Sequence, residues 1–138
     1  MPFKVDGELE SKFVAKAKTV LKPAGALLFR QGESVNGLYI LKTGRARMTL
    51  RSTNGHVHFE EMVEPGGLLG LPAAISGNPY SLTAEVIDDA ELSFLTRQEL
   101  VGLMQDDIRL SMRLVELLSK EVRAMREIIA KPTAAGAD

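Results

Sequence analysis

A chain of 138 residues, 45% apolar and 25% charged, is long enough to bury one real hydrophobic core. Its 17 basic and 18 acidic residues leave a net charge of −1, no electrostatic footprint for nucleic acid. The absence of cysteine excludes disulfides, thiolate metal sites and a cysteine nucleophile. The N-terminal residues lack the apolar stretch of a secretory leader, so the expected location is the cytoplasm, with no membrane segment.

In chain order, Leu9, Phe13, Val14, Ala17, Val20 and Leu21 recur at helical spacing and predict a first helix over 9–21, ended by Lys22-Pro23-Ala24-Gly25. The pattern then changes to short apolar runs at 27–29, 38–41, 46–50, 57–63, 82–87 and 92–95. Turns at Gly25, Gly32, Gly37, Gly44 and Asn54-Gly55 separate them, and the Asn-Gly pair predicts a hairpin. Many short strands at regular intervals indicate a β-barrel or sandwich.

Between Glu64 and Glu85 there is no charged side chain, and glycines and prolines break any long element. The expectation is a loop with one helical turn at 72–75. Its bare N–H groups and the hydroxyls of Tyr80, Ser81 and Thr83 are suited to cradling an anion.

Thr96-Arg97-Gln98-Glu99 has capping-box spacing and opens a short helix over 97–104. Asp106 or Asp107 caps a last helix over 108–130, read as acidic at its start and basic towards its end. Residues 131–138 read as a disordered tail. Val115, Leu118, Val122, Met125 and Ile129 form a coiled-coil-like seam, and Leu110, Leu114, Leu117, Ala124 and Ile128 a neighbouring stripe. Two stripes predict that one packs on the barrel and the other on a second copy, giving a homodimer. The plainer alternative is an intramolecular contact alone.

Taken in order, these segments resemble the cyclic nucleotide-binding domain family found in catabolite-activator-type regulators. The run from Lys22 to Glu33 looks like the family's opening strand and turn, and that from Gly37 to Arg47 like its next strand and glycine turn. Gly55 and Pro65-Gly66 match the following turns, and the uncharged segment falls at the phosphate-binding cassette. The resemblance implies one domain over residues 1–130, mainly β with flanking helices: a double-stranded β-helix or jelly-roll barrel. The helices over 96–130 would include a dimerisation helix at 108–130.

In that family the cassette reads Gly-Glu and, further on, Arg-Ser/Thr-Ala, with the Glu on the ribose 2′-hydroxyl and the Arg on the cyclic phosphate. Here Gly70 stands at the Gly, Leu71 at the Glu and Tyr80 at the Arg, followed by Ser81, Leu82 and Thr83. Both charged contacts are absent, each worth roughly 1.5–3 kcal/mol. High-affinity cAMP or cGMP binding is therefore not expected. One reading is a retuned pocket for another small effector, using Gly70, Leu71, Tyr80, Ser81, Leu82 and Thr83, with Arg123 and Arg126 offering charge from the last helix. The other is that Leu71 and Tyr80 fill the pocket as core, leaving an interaction module.

The residues after 130 are too few for a helix-turn-helix, so direct DNA binding is not expected. Metal-dependent cupins share the barrel shape, and His56-Val57-His58 with Glu60 places three potential ligands on one strand face. These are the only histidines, however, and they follow directly on a turn. No Gly-x-Ser-x-Gly elbow, Rossmann fingerprint or Walker lysine occurs. The sequence reads as a non-enzymatic regulatory domain without metal or cofactor.

Overall fold

The computed structural model describes residues 7–130 and, in the last helix, side chains as far as Lys120. Helix α1 (Gly7–Val14) precedes strands β1 (Lys18–Lys22), β2 (Leu27–Phe29), β3 (Gly37–Thr43), β4 (Ala46–Arg51), β5 (Val57–Val63) and β6 (Leu68–Leu69). Helix α2 (Leu71–Ser76), strands β7 (Thr83–Val86) and β8 (Ala90–Thr96), and helices α3 (Arg97–Asp106) and α4 (Ile108–Ala130) follow. The strands form two four-stranded antiparallel sheets, ordered β1-β8-β3-β6 and β2-β7-β4-β5.

The apolar runs divide between two cores. Between the sheets lie Phe29, Leu41, Met48, Phe59, Val63, Leu69, Tyr80, Val86 and Leu92. On the helix side, Leu38, Ile40, Leu68 and Leu95 meet Phe13 of α1, Leu71 and Ala74 of α2, Leu100 of α3, and Leu110 and Leu114 of α4. The first sheet is thus buried on both faces, which explains why β3 reads Leu-Tyr-Ile-Leu instead of alternating. The Asn54-Gly55 turn forms as expected: Gly55 takes φ 84°, and the His56 N–H donates to Asn54 Oδ1 at 3.0 Å.

In the first half of the chain two expectations need correcting. The helix predicted over 9–21 stops at Val14, and Lys18–Lys22 is an edge strand in register with β8, Val20 opposite Leu92. Phe13 is fully buried, whereas Leu21 is 74% exposed, so these two do not share one helical face. Ladder bonds to β8 and β-branched Thr19 and Val20 outweigh the weak helical periodicity. Residues Leu68–Leu69, expected as loop, pair with Tyr39 and Ile40 of β3.

At the other end the capping box closes as expected, with Thr96 and Glu99 exchanging hydrogen bonds, and α3 runs on to Asp106. Asp107 alone separates α3 from α4, and its Oδ1 accepts the Leu110 N–H at 3.1 Å. The expected macrodipole pattern is missing: α4 has no acid in its first turn and no base in its last. Of its stripes, Leu110 and Leu114 are buried, and Leu117 and Leu118 pack against the same core. Among the described side chains of α4, those that face outward are Ile108 (78% exposed), Met112 (63%) and Val115 (49%). Val122, Ala124, Met125, Ile128 and Ile129 lie beyond the described side chains, and the tail 131–138 lies outside the described residues.

α1 is tied down by Lys42 Nζ on Glu10 Oε2 at 2.9 Å and by Lys12 on the Asp107 carboxylate. The Lys12 hydrogen bond, then the Leu110 N–H, holds the Asp107 carboxyl below its usual range. A depressed carboxyl stabilises the fold above its unfolded value, and that stability is lost as pH falls through the folded value, below about pH 4. Asp107→Asn, which keeps the cap but not the charge, is expected to flatten the acid limb of a melting-temperature-against-pH curve. Identical acid limbs in the two proteins would contradict this.

Candidate functional site

The cassette is assembled where β2, the start of β3, α2 and the approach to β7 meet. Gly70 caps α2 in the left-handed region at φ 91°, and Gly77 ends it at φ 80°, its N–H bonded to the Ala73 carbonyl. The six-residue helix then gives way to an extended approach that carries Tyr80 inward. The Gly32 N–H donates to the Tyr80 carbonyl at 2.8 Å and the Tyr80 N–H to the Glu33 carbonyl at 3.0 Å, zipping this approach to the turn after β2.

That zipper aims the Tyr80 ring at Phe29, where the two lie nearly parallel (9°) with centroids 3.9 Å apart. The Tyr80 hydroxyl donates to the Gly37 carbonyl at 2.7 Å and accepts from the N–H groups of Gly37 (3.2 Å) and Asn36 (3.1 Å). A phenol has one proton and two lone pairs, so this hydroxyl is fully satisfied. The space left beside it, bounded by Phe29, Met48, Ala73 and Leu82, is about 10 Å³. That is at or below the roughly 10–15 Å³ needed for a single water.

The predicted site residues therefore separate. Gly70, Tyr80 and Leu82 surround the residual cavity, and Ser81 borders it from the exposed side. Leu71 is buried in the helix-side core, whereas Tyr80 belongs to the intersheet core. The hydroxyl of Thr83 is engaged elsewhere, accepting the Gln31 N–H at 3.0 Å. The side chains of Arg123 and Arg126 lie outside the described residues. His56 and His58 touch edge to face at 5.0 Å on the exposed hairpin, and Glu60 sits 3.6 Å from Arg47. Among the described residues no group of three or more His, Cys, Asp or Glu is placed to hold a metal.

Sequence reasoning missed three participants. Phe29 and Gly37 are supplied from strands remote in sequence from Tyr80, and no local spacing marks them. Arg97 lies against Gly77, where a Cβ would stand 3.0 Å from Nη2, and donates to the Ile75 carbonyl at 3.3 Å. A cation thus closes the C-terminal end of α2, where the helix dipole favours positive charge. Nearby, burial and then the Tyr80 hydroxyl push the Tyr39 phenol above its ordinary value.

The family model described as the cyclic nucleotide-binding domain matches residues 20–107. The chain belongs to this family. Among its relatives, patatin-like phospholipase domain-containing protein 6 of Homo sapiens is 27% identical over 113 residues, covering 82% of this chain but 8% of that protein. The cyclic AMP receptor protein of Thermus thermophilus is 26% identical over 103 residues, covering 75% of this chain and 48% of that one. The chain thus spans less than half of the curated relatives it matches. The crystal structure of Thermus thermophilus catabolite activator protein superposes with a TM-score of 0.78 at 23% identity, covering 88% of this chain and 57% of that one. The jelly-roll fold of the cyclic nucleotide-binding domain is therefore shared. No helix among the described residues is long and apolar enough to cross a membrane.

Removing the Tyr80 hydroxyl leaves the Gly37 and Asn36 backbone groups without their partner in a dry site. Tyr80→Phe is expected to cost about 1–3 kcal/mol in urea unfolding, with faster amide exchange at Gly37. A variant as stable as the parent would show that water replaces the hydroxyl.

Proposed function

We propose that this chain is a non-catalytic regulatory module of the cyclic nucleotide-binding family whose cassette is closed by its own side chain and whose output is the pairing of two copies through α4. The observation that carries this reading is the Tyr80 ring stacked on Phe29 with its hydroxyl fully bonded, leaving about 10 Å³ beside it. Any ligand of this pocket must first displace that ring. Giving up three hydrogen bonds and one aromatic stack costs roughly 2–6 kcal/mol. Each 1.4 kcal/mol is about a tenfold loss of affinity. The guanidinium that repays such a cost in the family is replaced by the displaced group itself.

A small effector other than cAMP or cGMP is the second reading, favoured by the exposed Ser81 at the edge of the cassette. It requires a ligand that binds an open arrangement better than the closed one. Isothermal titration calorimetry of the full chain with cAMP and with cGMP tests the closed cassette directly. No heat is expected at ligand concentrations below about 100 μM. A dissociation constant of about 10 μM or tighter would overturn the closed-cassette reading.

Pairing is supported by the outward stripe of Ile108, Met112 and Val115, spaced by four and three residues along α4. Met112→Glu with Val115→Glu places like charges in that seam without touching the buried Leu110 and Leu114. Sedimentation equilibrium is expected to show a dimer for the parent and a folded monomer for the double variant. Unchanged association would place the contact elsewhere.

A further inference from the structure

The outer face of the β2-β7-β4-β5 sheet carries a groove separate from the cassette. Strand alternation sends Met48 and Ala84 into the intersheet core and turns Thr49, Arg51, Thr83 and Glu85 outward. The turn after β2 adds Arg30 and Gln31, and the resulting open cleft has a volume of about 480 Å³. That lies within the roughly 300–1,000 Å³ of small-molecule sites.

The cleft has ordered walls. Gln31 Nε2 donates to the Arg51 carbonyl at 2.8 Å, its Oε1 accepts the Arg51 N–H at 3.0 Å, and its own N–H reaches Thr83 Oγ1. One side chain thus fastens the Arg30 turn to the end of β4, with the two arginines at its margins. Thr49 lines the floor of the cleft, where its hydroxyl, unbonded among the described residues, keeps contact with solvent. It stands opposite Thr83, whose hydroxyl oxygen accepts from Gln31 and whose proton remains available. Both hydroxyls are therefore free to bond a guest molecule in the cleft.

The charges around the cleft favour an anion. The carboxylates of Glu85 and Glu60 both face Arg47, at 2.8 and 3.6 Å. Among the described residues the Arg30 guanidinium has no partner, and Arg51 gives only Nη1, to the Gly55 carbonyl at 3.1 Å. Two arginines and two threonines thus line one cleft. That suits the tetrahedral oxygens of a phosphoryl group better than the planar lone pairs of a carboxylate.

We propose that this outer groove binds a compact phosphorylated small molecule, gripped by Arg30 and Arg51 and oriented by the hydroxyls of Thr49 and Thr83. The site is independent of the cassette, so it stands whether or not Tyr80 ever yields.

Inorganic pyrophosphate is a suitable probe, titrated into the full chain at low, constant ionic strength and followed by amide NMR shifts. Saturable shifts are expected at Arg30, Gln31, Thr49, Arg51 and Thr83, with a dissociation constant below about 1 mM. Arg30→Gln with Arg51→Gln, both exposed, should weaken binding about tenfold or more, and Thr49→Val by about threefold. Tyr80→Phe should leave it unchanged. Shifts that do not saturate by about 10 mM, or equal affinity in the double arginine variant, would overturn the proposal. So would shifts confined to residues outside the groove.

Discussion

The cassette end of this domain is organised around Gly37. Its N–H and carbonyl hold the Tyr80 hydroxyl, its backbone pairs with Thr96 of β8, and the neighbouring Asn36 carbonyl accepts the Arg97 N–H that opens α3. The approach of β8 leaves no room for a side chain, since a Cβ at Gly37 would lie 2.1 Å from the Leu95 carbonyl oxygen. Backbone atoms cannot yield as a flexible side chain can. One bare Cα therefore sets the distance between the sheet, the cassette tyrosine and the helix that follows.

That geometry gives the uncharged segment its meaning. Here the polar requirement of the buried site is met by a neutral phenol and three backbone groups, and its volume by an aromatic ring on Phe29. Leu71 completes the change by joining the helix-side core, where a carboxylate would carry a heavy desolvation cost. The described ion pairs sit elsewhere, on the outer sheet face and around α1, as in Arg45 with Asp88 and Lys42 with Glu10.

Much of this was legible in the sequence because turn chemistry is local. Asn54-Gly55, the Thr96 capping box and the Asp107 cap each follow from a few adjacent residues, and each forms. The strand at Lys18–Lys22 was not legible, because its identity depends on a partner strand far along the chain. A short run holding Val and Leu fits either period. The cassette was half legible: loss of the charges at Leu71 and Tyr80 is visible in the letters, but not that the two side chains turn into different cores. Nothing local marks Phe29, Gly37 or the Gln31 clamp, each of which works across the fold.

The exposed strand β1 bears on how copies of this chain keep apart. Among the described residues it is an edge of the first sheet, with Leu21 74% exposed. Such an edge is a template for adding strands from another molecule. Lys18 and Lys22 bracket it and Pro23 follows, so each added copy would bring like charges together and meet a residue with no N–H to offer. The opposite edge, β6, is only two residues long. Both ends of that sheet are thereby poor seeds for β-aggregation, even with a large apolar side chain on view.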